Sequence, residues 1–196
     1  RRPGRGRQLG LDRRIEERLR RALRRACPGD PILGEEFGSS GRLGETFWTI
    51  DPIDGTRAFS HGLPSWGIMV GRIERGRAVL GLIDFPAIGV TIGVAPGVEA
   101  YERANGGRIL LPRPRSLRSL SRAVVFHGGM RWWQGTRYAR GLARVAQSCD
   151  LERAYGDCYG YLWALRARAD AVVDYGVKAW DLVPLAAFAQ ATGRVL

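Results

Sequence analysis

Between residues 67 and 94 the chain carries three runs rich in Val, Ile and Gly: Gly67–Ile73, Ala78–Phe85 and Gly89–Val94. Turn residues separate them, and such closely spaced β-rich runs predict an antiparallel sheet. Downstream the rhythm changes. Strands expected at Val124–Phe126, Arg153–Tyr155 and Ala171–Tyr175 alternate with helices expected at Trp132–Gln147, Tyr159–Ala169 and Asp181–Ala191, the order of an α/β unit. The fold class expected is therefore α/β, with an α+β N-terminal part over residues 1–118 and an α/β C-terminal part over 119–196. Pro112–Leu120 reads as the connection. A chain of 196 residues can bury a substantial core. The most apolar region, Val79–Pro96, is broken by Asp84, Pro86 and glycines, so it reads as strands and turns and not as a membrane span. No internal repeat occurs.

The N-terminal segment is read in two pieces. Residues 1–10 (RRPGRGRQLG) are expected to form a poorly ordered arm. From Asp12, placed as an N-cap, Ile15, Leu19, Ala22, Leu23 and Ala26 recur at helical spacing, with arginines on the other faces, and Pro28-Gly29 ends the helix. The net charge is +12, and residues 1–25 hold eleven arginines against Asp12, Glu16 and Glu17. Lys178 is the sole lysine, a skew that a codon bias explains as readily as a physical need. Two readings of the arginines stay open: a surface for nucleic acid or another anionic partner, and a solvated helix face without interleaved aromatics or a known binding motif. Cys27, Cys149 and Cys158 form no pair by spacing, and no apolar stretch follows the basic start, so a reducing, cytoplasmic setting is expected.

A short strand expected at Pro31–Leu33 leads into Gly34-Glu35-Glu36-Phe37-Gly38, and another at Thr46–Ile50 runs into Asp51-Pro52-Ile53-Asp54-Gly55-Thr56. Pro52 fixes its own φ and biases Asp51 toward an extended conformation. A stiff turn of this kind aims two carboxylates, and with them the Ile53 carbonyl, at one point, as a hard cation such as Mg2+ requires. The helix-like residues after Gly55 offer backbone N–H groups to an anion. Local Asx-turn bonding is the alternative reading. Asp181 follows Trp180 at the start of an apolar helix, with Pro184 expected in its first turn; a plain N-cap is its alternative. His61 and His127 have no partner motif and read as structural or surface residues.

Gly34-Glu35-Glu36, Trp48-x-x-Asp51-Pro52-Ile53-Asp54-Gly55-Thr56 and Trp180-Asp181-x-x-Pro184 resemble, in order and spacing, the three motifs of the inositol monophosphatase superfamily. The resemblance spans nearly the whole chain and implies a layered αβαβα sandwich and an Mg2+-dependent phosphomonoesterase. It implies that Glu35, Asp51 and the Ile53 carbonyl hold one Mg2+, and that Asp51, Asp54 and Asp181 hold a second, with two or three ions per site. Gly55 and Thr56 amides would bind phosphate, Thr56 and Glu35 would activate water, Asp12 would support Thr56 by a hydrogen bond, and Glu36 would lie behind these groups. Ala154-Tyr155-Gly156-Asp157-Cys158-Tyr159-Gly160-Tyr161 resembles the histidinol-phosphate phosphatase branch, as does GEEFG. Asp157 and Asp174 would then contact a cationic substrate; a helix N-cap at Asp157 and core packing for the tyrosines are the alternatives. The expected reaction is L-histidinol phosphate to L-histidinol plus phosphate, in histidine biosynthesis. Inositol 1-phosphate and 3′-nucleotides are the other substrates, and a non-catalytic, arginine-rich nucleic-acid protein is the other class. The resemblance implies a homodimer acting on a small phosphorylated metabolite, away from membranes. RGRQLGLD replaces the family's lysine-bearing hairpin and Thr-Glu-Ala-Asp segment, which concerns the third Mg2+. The family's first helix and the elements beyond Leu196 have no counterpart here, so exposed apolar surface is expected.

Overall fold

The structure is a computed structural model that describes the backbone from Arg5 to Leu196 and side chains from Gly10 onward. Helix α1 (Arg5–Ala26) begins earlier than expected. Residues 1–4 of the expected arm lie outside the described residues; the rest of that arm is helical. Asp12 is consequently no N-cap but lies buried within the helix. Arg, Gln and Leu are good helix formers, and in RGRQLGL they outweigh Gly6 and Gly10, at about 1 kcal/mol each relative to Ala. The helix stops at Ala26, just before Pro28-Gly29.

After α1 come β1 (Ile32–Gly34), β2 (Gly38–Ser39), β3 (Phe47–Asp54), the short helix α2 (Thr56–Ser60), β4 (Gly67–Glu74), β5 (Arg77–Phe85) and β6 (Val90–Ala95). The sheet continues through β7 (Val98–Ala104) and β8 (Gly107–Leu110), two strands the sequence reading missed. Their signals were the turns Pro96-Gly97 and Asn105-Gly106; the latter has φ of 50° and 77°, as a tight hairpin requires. Charged residues at Glu99, Glu102, Arg103 and Arg108 hid the strands between them. The eight strands run in the order β2-β1-β3-β4-β5-β6-β7-β8, with β1 parallel to β3 and the rest antiparallel.

Successive strand residues point to opposite faces, and here both faces are covered. Met69, Ile83, Phe85 and Ile92 form one core with Leu162 and Phe188. Val70, with Leu80 and Leu82 half buried beside it, joins Ile32, Trp48 and Ile50 in a second core under Leu19 and Leu23 of α1.

The remaining elements are β9 (Val124–His127), α3 (Met130–Trp133), α4 (Ala139–Ser148), β10 (Leu151–Arg153), α5 (Asp157–Leu165), β11 (Ala171–Val173) and α6 (Ala179–Thr192). The single helix expected over Trp132–Gln147 is two, parted at Gly135 with its φ of 79°. The strand expected at Arg153–Tyr155 sits earlier, because Gly156 starts α5 two residues ahead of its expected position. The second sheet is parallel, in the order β10-β9-β11. Helix α6 packs on β3 to β7, while α5 touches β4, β11 and α6. The fold is thus a mixed α/β layering of a large sheet flanked by helices.

Helix α6 starts at Ala179, so Asp181 is its third residue and not its N-cap, and Pro184 lies beyond the first turn. Close apposition accommodates it. A Cβ on Gly81 would fall 2.5 Å from the Pro184 carbonyl oxygen, and one on Gly71 2.8 Å from Pro184 Cδ. Two glycines in neighbouring strands let the helix lie directly on the sheet.

Candidate active site

Strand β3 carries the centre. Its pairing with β4 slips between Asp51 and Asp54, where Pro52 has no N–H to donate to the ladder. Asp51 Oδ1 accepts the Ile53 N–H at 3.0 Å, so the Asx-type bond is present, and the same side chain still faces the cluster. Gly55 has φ 82°, and a Cβ there would lie 2.8 Å from the Ser65 carbonyl oxygen, so this turn needs glycine twice over. The Thr56 hydroxyl donates to the Ile53 carbonyl at 2.9 Å.

Two separate elements bring three carboxylates together. Asp51 and Asp54 come from β3. Asp181, aimed by accepting the Lys178 N–H at 2.7 Å, comes from α6. One oxygen of each lies within 4.8 Å of the others. Asp54 also accepts the Cys158 N–H at the start of α5. Glu35 is exposed as a residue, but its carboxyl turns in to share a hydrogen bond with Asp51.

Electrostatics register the crowding. Burial, then the charges of Asp54, Glu35 and Asp181, push Asp51 up to about 11. Burial first, tempered by the Asp51 hydrogen bond, pushes Glu35 up to about 7. Asp54 is raised well above the usual carboxylate range by burial, Asp157 and Asp181, and Asp181 is raised mainly by burial. Carboxylates so placed repel unless protons or cations neutralise them. An all-oxygen donor set of this charge fits a hard divalent cation.

Around this centre the expected residues fall into place unevenly. Asp12 is buried, pushed up to about 6 by burial and Glu36, and its Oδ1 has no hydrogen-bond partner among the described residues. Asp157 is the first residue of α5 at φ 56°, following the N-cap Gly156, and is pushed up to about 6 by burial, Asp174 and Asp181. Asp174 Oδ2 accepts the Asp157 N–H at 3.0 Å and the Tyr161 hydroxyl at 3.1 Å, so Asp174 holds α5 in place. Glu36 lies 3.7 Å from Arg13. His127 is buried against Glu152 and the Gly128 carbonyl, while His61 is exposed on α2 beside Ser60.

Two positioning residues escaped the sequence reading. Glu16 and Arg20, one turn apart on α1, form a buried ion pair at 2.7 Å. Glu16 also accepts the Glu36 N–H at 2.8 Å, and Arg20 donates to the Ile32 carbonyl at 3.3 Å and the Gly38 carbonyl at 2.5 Å. A Cβ on Gly34 would meet Glu16 Oε1 at 2.0 Å. The glycine-flanked loop that presents Glu35 is therefore clamped from below by α1. The signal was an acid and a base four apart, flanking Ile15, Leu19 and Leu23 on the apolar stripe; surrounding arginines made both look solvated.

The chain is similar to known proteins in both sequence and fold. The sequence model of the inositol monophosphatase family matches residues 10–196. A histidinol-phosphatase of Mycobacterium tuberculosis is 30% identical over 174 residues, covering 89% of this chain and 67% of that protein. The inositol-1-monophosphatase SuhB of the same organism is 32% identical over 194 residues, covering 95% of this chain and 67% of its own. The solved structure of Mycobacterium tuberculosis SuhB superposes with a TM-score of 0.78 at 30% identity, covering 96% of this chain and 80% of that one. The chain spans about two thirds of the length of the curated relatives it matches, with 64% for a histidinol-phosphatase of Chlorobaculum parvum.

Proposed function

The chain belongs to the inositol monophosphatase family, and on that premise we propose that it hydrolyses a small-molecule phosphate monoester, most readily L-histidinol phosphate. The observation that carries the reading is the convergence of Asp51, Asp54 and Asp181 within 4.8 Å, with the Glu35 carboxyl beside them. These four, with the Ile53 carbonyl, would hold two Mg2+ ions. Divalent cations there supply the positive charge that a phosphate and an activated water both need.

The chain's own groups do the rest. Glu35, whose carboxyl lies beside Asp51, would take the proton from the attacking water. Thr56 Oγ1 donates to the Ile53 carbonyl, so toward that water it acts as an acceptor and orients it. The Gly55 and Thr56 amides steady the phosphate, and the αL turn at Gly55 sets their direction. Buried Asp12, whose charge acts on Glu35, would support Thr56 by a hydrogen bond.

Asp157 favours a cationic substrate. It lies at the start of α5, electrostatically coupled to Asp181, and can pair with the amine or imidazole of histidinol phosphate. The histidinol-phosphatase relatives support this choice at about 30% identity. The 32% identical inositol-1-monophosphatase supports inositol 1-phosphate as the second reading. Phosphate release from the two esters, side by side with Mg2+ and with chelator, separates them. Release from histidinol phosphate alone, lost on Asp157→Asn, is expected; equal or greater release from inositol 1-phosphate would shift the reading to the second.

A further inference from the structure

Along the sequence the basic charge of this chain has a second centre, separate from α1. From Arg103 to Cys149 there are ten arginines and no acidic residue, while residues 26–102 and 150–196 together are net acidic. This stretch contains α3 and α4. Arg131, Arg137, Arg140 and Arg144 are all exposed, and Arg140 and Arg144, four apart on α4, share a face.

Here the arginines alternate with aromatic rings. Trp132, Tyr138 and Tyr175 are 58%, 46% and 46% exposed. The rings of Trp133, Tyr175 and Tyr138 follow one another with centroids 5.8 and 6.1 Å apart; Trp133 is buried and backs the two exposed tyrosines, and the Arg137 guanidinium lies 4.7 Å over Tyr138. Tyr138 and Tyr175, with Trp133 at its base and Arg137, Arg140 and Arg144, line a groove of about 1120 Å3; Trp132 lies outside it. Among the described residues, Asp174 is the acid in its lining, and its Oδ2 is committed to the Asp157 N–H and the Tyr161 hydroxyl.

We propose that this groove binds single-stranded nucleic acid, with arginines on the phosphates and the exposed tyrosine rings on the bases. A basic track beside a file of exposed aromatic rings is how single strands are held without sequence preference. A duplex keeps its base faces stacked inside and would leave the rings without partners. An anionic membrane would attract the arginines, but rings lining a concavity cannot enter it together. A second copy docked face to face would set arginine against arginine.

The test uses the full chain and a fluorescently labelled 15-nucleotide oligouridylate, read by anisotropy at 50 and 200 mM salt. With three or four phosphates engaged, log affinity should fall against log salt with a slope of about −2 to −3. Arg140→Glu with Arg144→Glu should weaken binding at least tenfold. Tyr138→Ala should weaken it by about five- to 150-fold, and Tyr138→Phe should retain it. Circular dichroism and unchanged phosphate release verify that these surface variants are folded. Several results would overturn the proposal: no saturable binding at 50 mM salt, heparin or duplex DNA competing equally while Tyr138→Ala has no effect, or binding lost on Arg21→Glu with Arg25→Glu in α1 but kept in the α4 pair. Tighter binding to phosphatidylglycerol vesicles than to the oligonucleotide would assign the groove to a membrane surface. Altered oligomeric state in the α4 pair would assign it to a second copy.

Discussion

A carboxylate is an ordinary surface group until others are set beside it. Asp51 stands among Asp54, Asp181 and Glu35, and that company determines what substitutions and pH should do. Asp54→Asn keeps an oxygen to accept the Cys158 N–H while removing a charge from the centre. We expect phosphate release to fall at least 100-fold with the circular dichroism spectrum unchanged; wild-type turnover in this variant would refute the assignment of the metal ligands. Asp51 and Glu35 have folded values above their ordinary ones, so the folded protein binds protons that the unfolded chain has released. Stability of the metal-free protein therefore loses ground as pH rises from about 4.5 through 7, and for Asp51 on toward 11. Mg2+ needs those groups deprotonated, so its stabilising effect grows in the same direction. The difference in Tm between Mg2+ and chelator should widen from pH 5 to pH 8, and a constant difference would count against the cluster. Glu35, Asp51, Asp54 and Asp181 were legible in the sequence because glycine, proline and tryptophan frame each of them at family spacing. Glu16 and Arg20 were not, since burial is a property of the folded helix and nothing local separates them from their solvated neighbours.

At the level of elements, the site depends on how closely α1 and α6 press on the sheet. Glu16→Ala would leave Arg20 buried without its partner and free the Glu36 N–H, at a cost of about 3–5 kcal/mol in a urea melt. Glu16→Gln, which keeps the hydrogen-bonding shape, should cost less than Glu16→Ala; the reverse order would mean that the clamp is not an ion pair with a loop attached. Gly81→Ala pushes a methyl into the Pro184 carbonyl. We expect about 1–3 kcal/mol of destabilisation and weaker Mg2+ affinity, because Asp181 rides on the displaced helix; unchanged affinity would show that α6 can shift without moving its ligand. The strands β3 to β6 could be read from runs of Val and Ile. Strands β7 and β8 could not be read that way, because charged residues interrupt them, one of which, Glu102, is buried against Arg166, and only the turns betray them. Pro184 could be read as early in the helix but not as packed on glycine, a fact that belongs to two distant strands.

Across the whole molecule, charge is partitioned. An arginine-rich α1, an arginine-rich stretch from residue 103 to 149 and an acidic remainder coexist in one chain. Taken together, residues after 25 are nearly neutral, because the acidic remainder offsets the second basic stretch and hides it. Its exposed pair of rings is formed only in the fold, where Tyr175, two residues beyond β11, lies against Tyr138 and the buried Trp133. The ligands of the centre are also far apart along the chain: Asp51 and Asp181 are some 130 positions apart. An ion between them would close that loop as a reversible staple, opposing the entropy of a long free segment. Translation proceeds at roughly 5–20 residues per second, so Glu35, Asp51 and Asp54 would emerge from the ribosome on the order of ten seconds before Asp181. During that interval the growing chain holds an incomplete binding site, and the moment at which the centre can first be loaded is set by the clock of synthesis and not by the supply of metal.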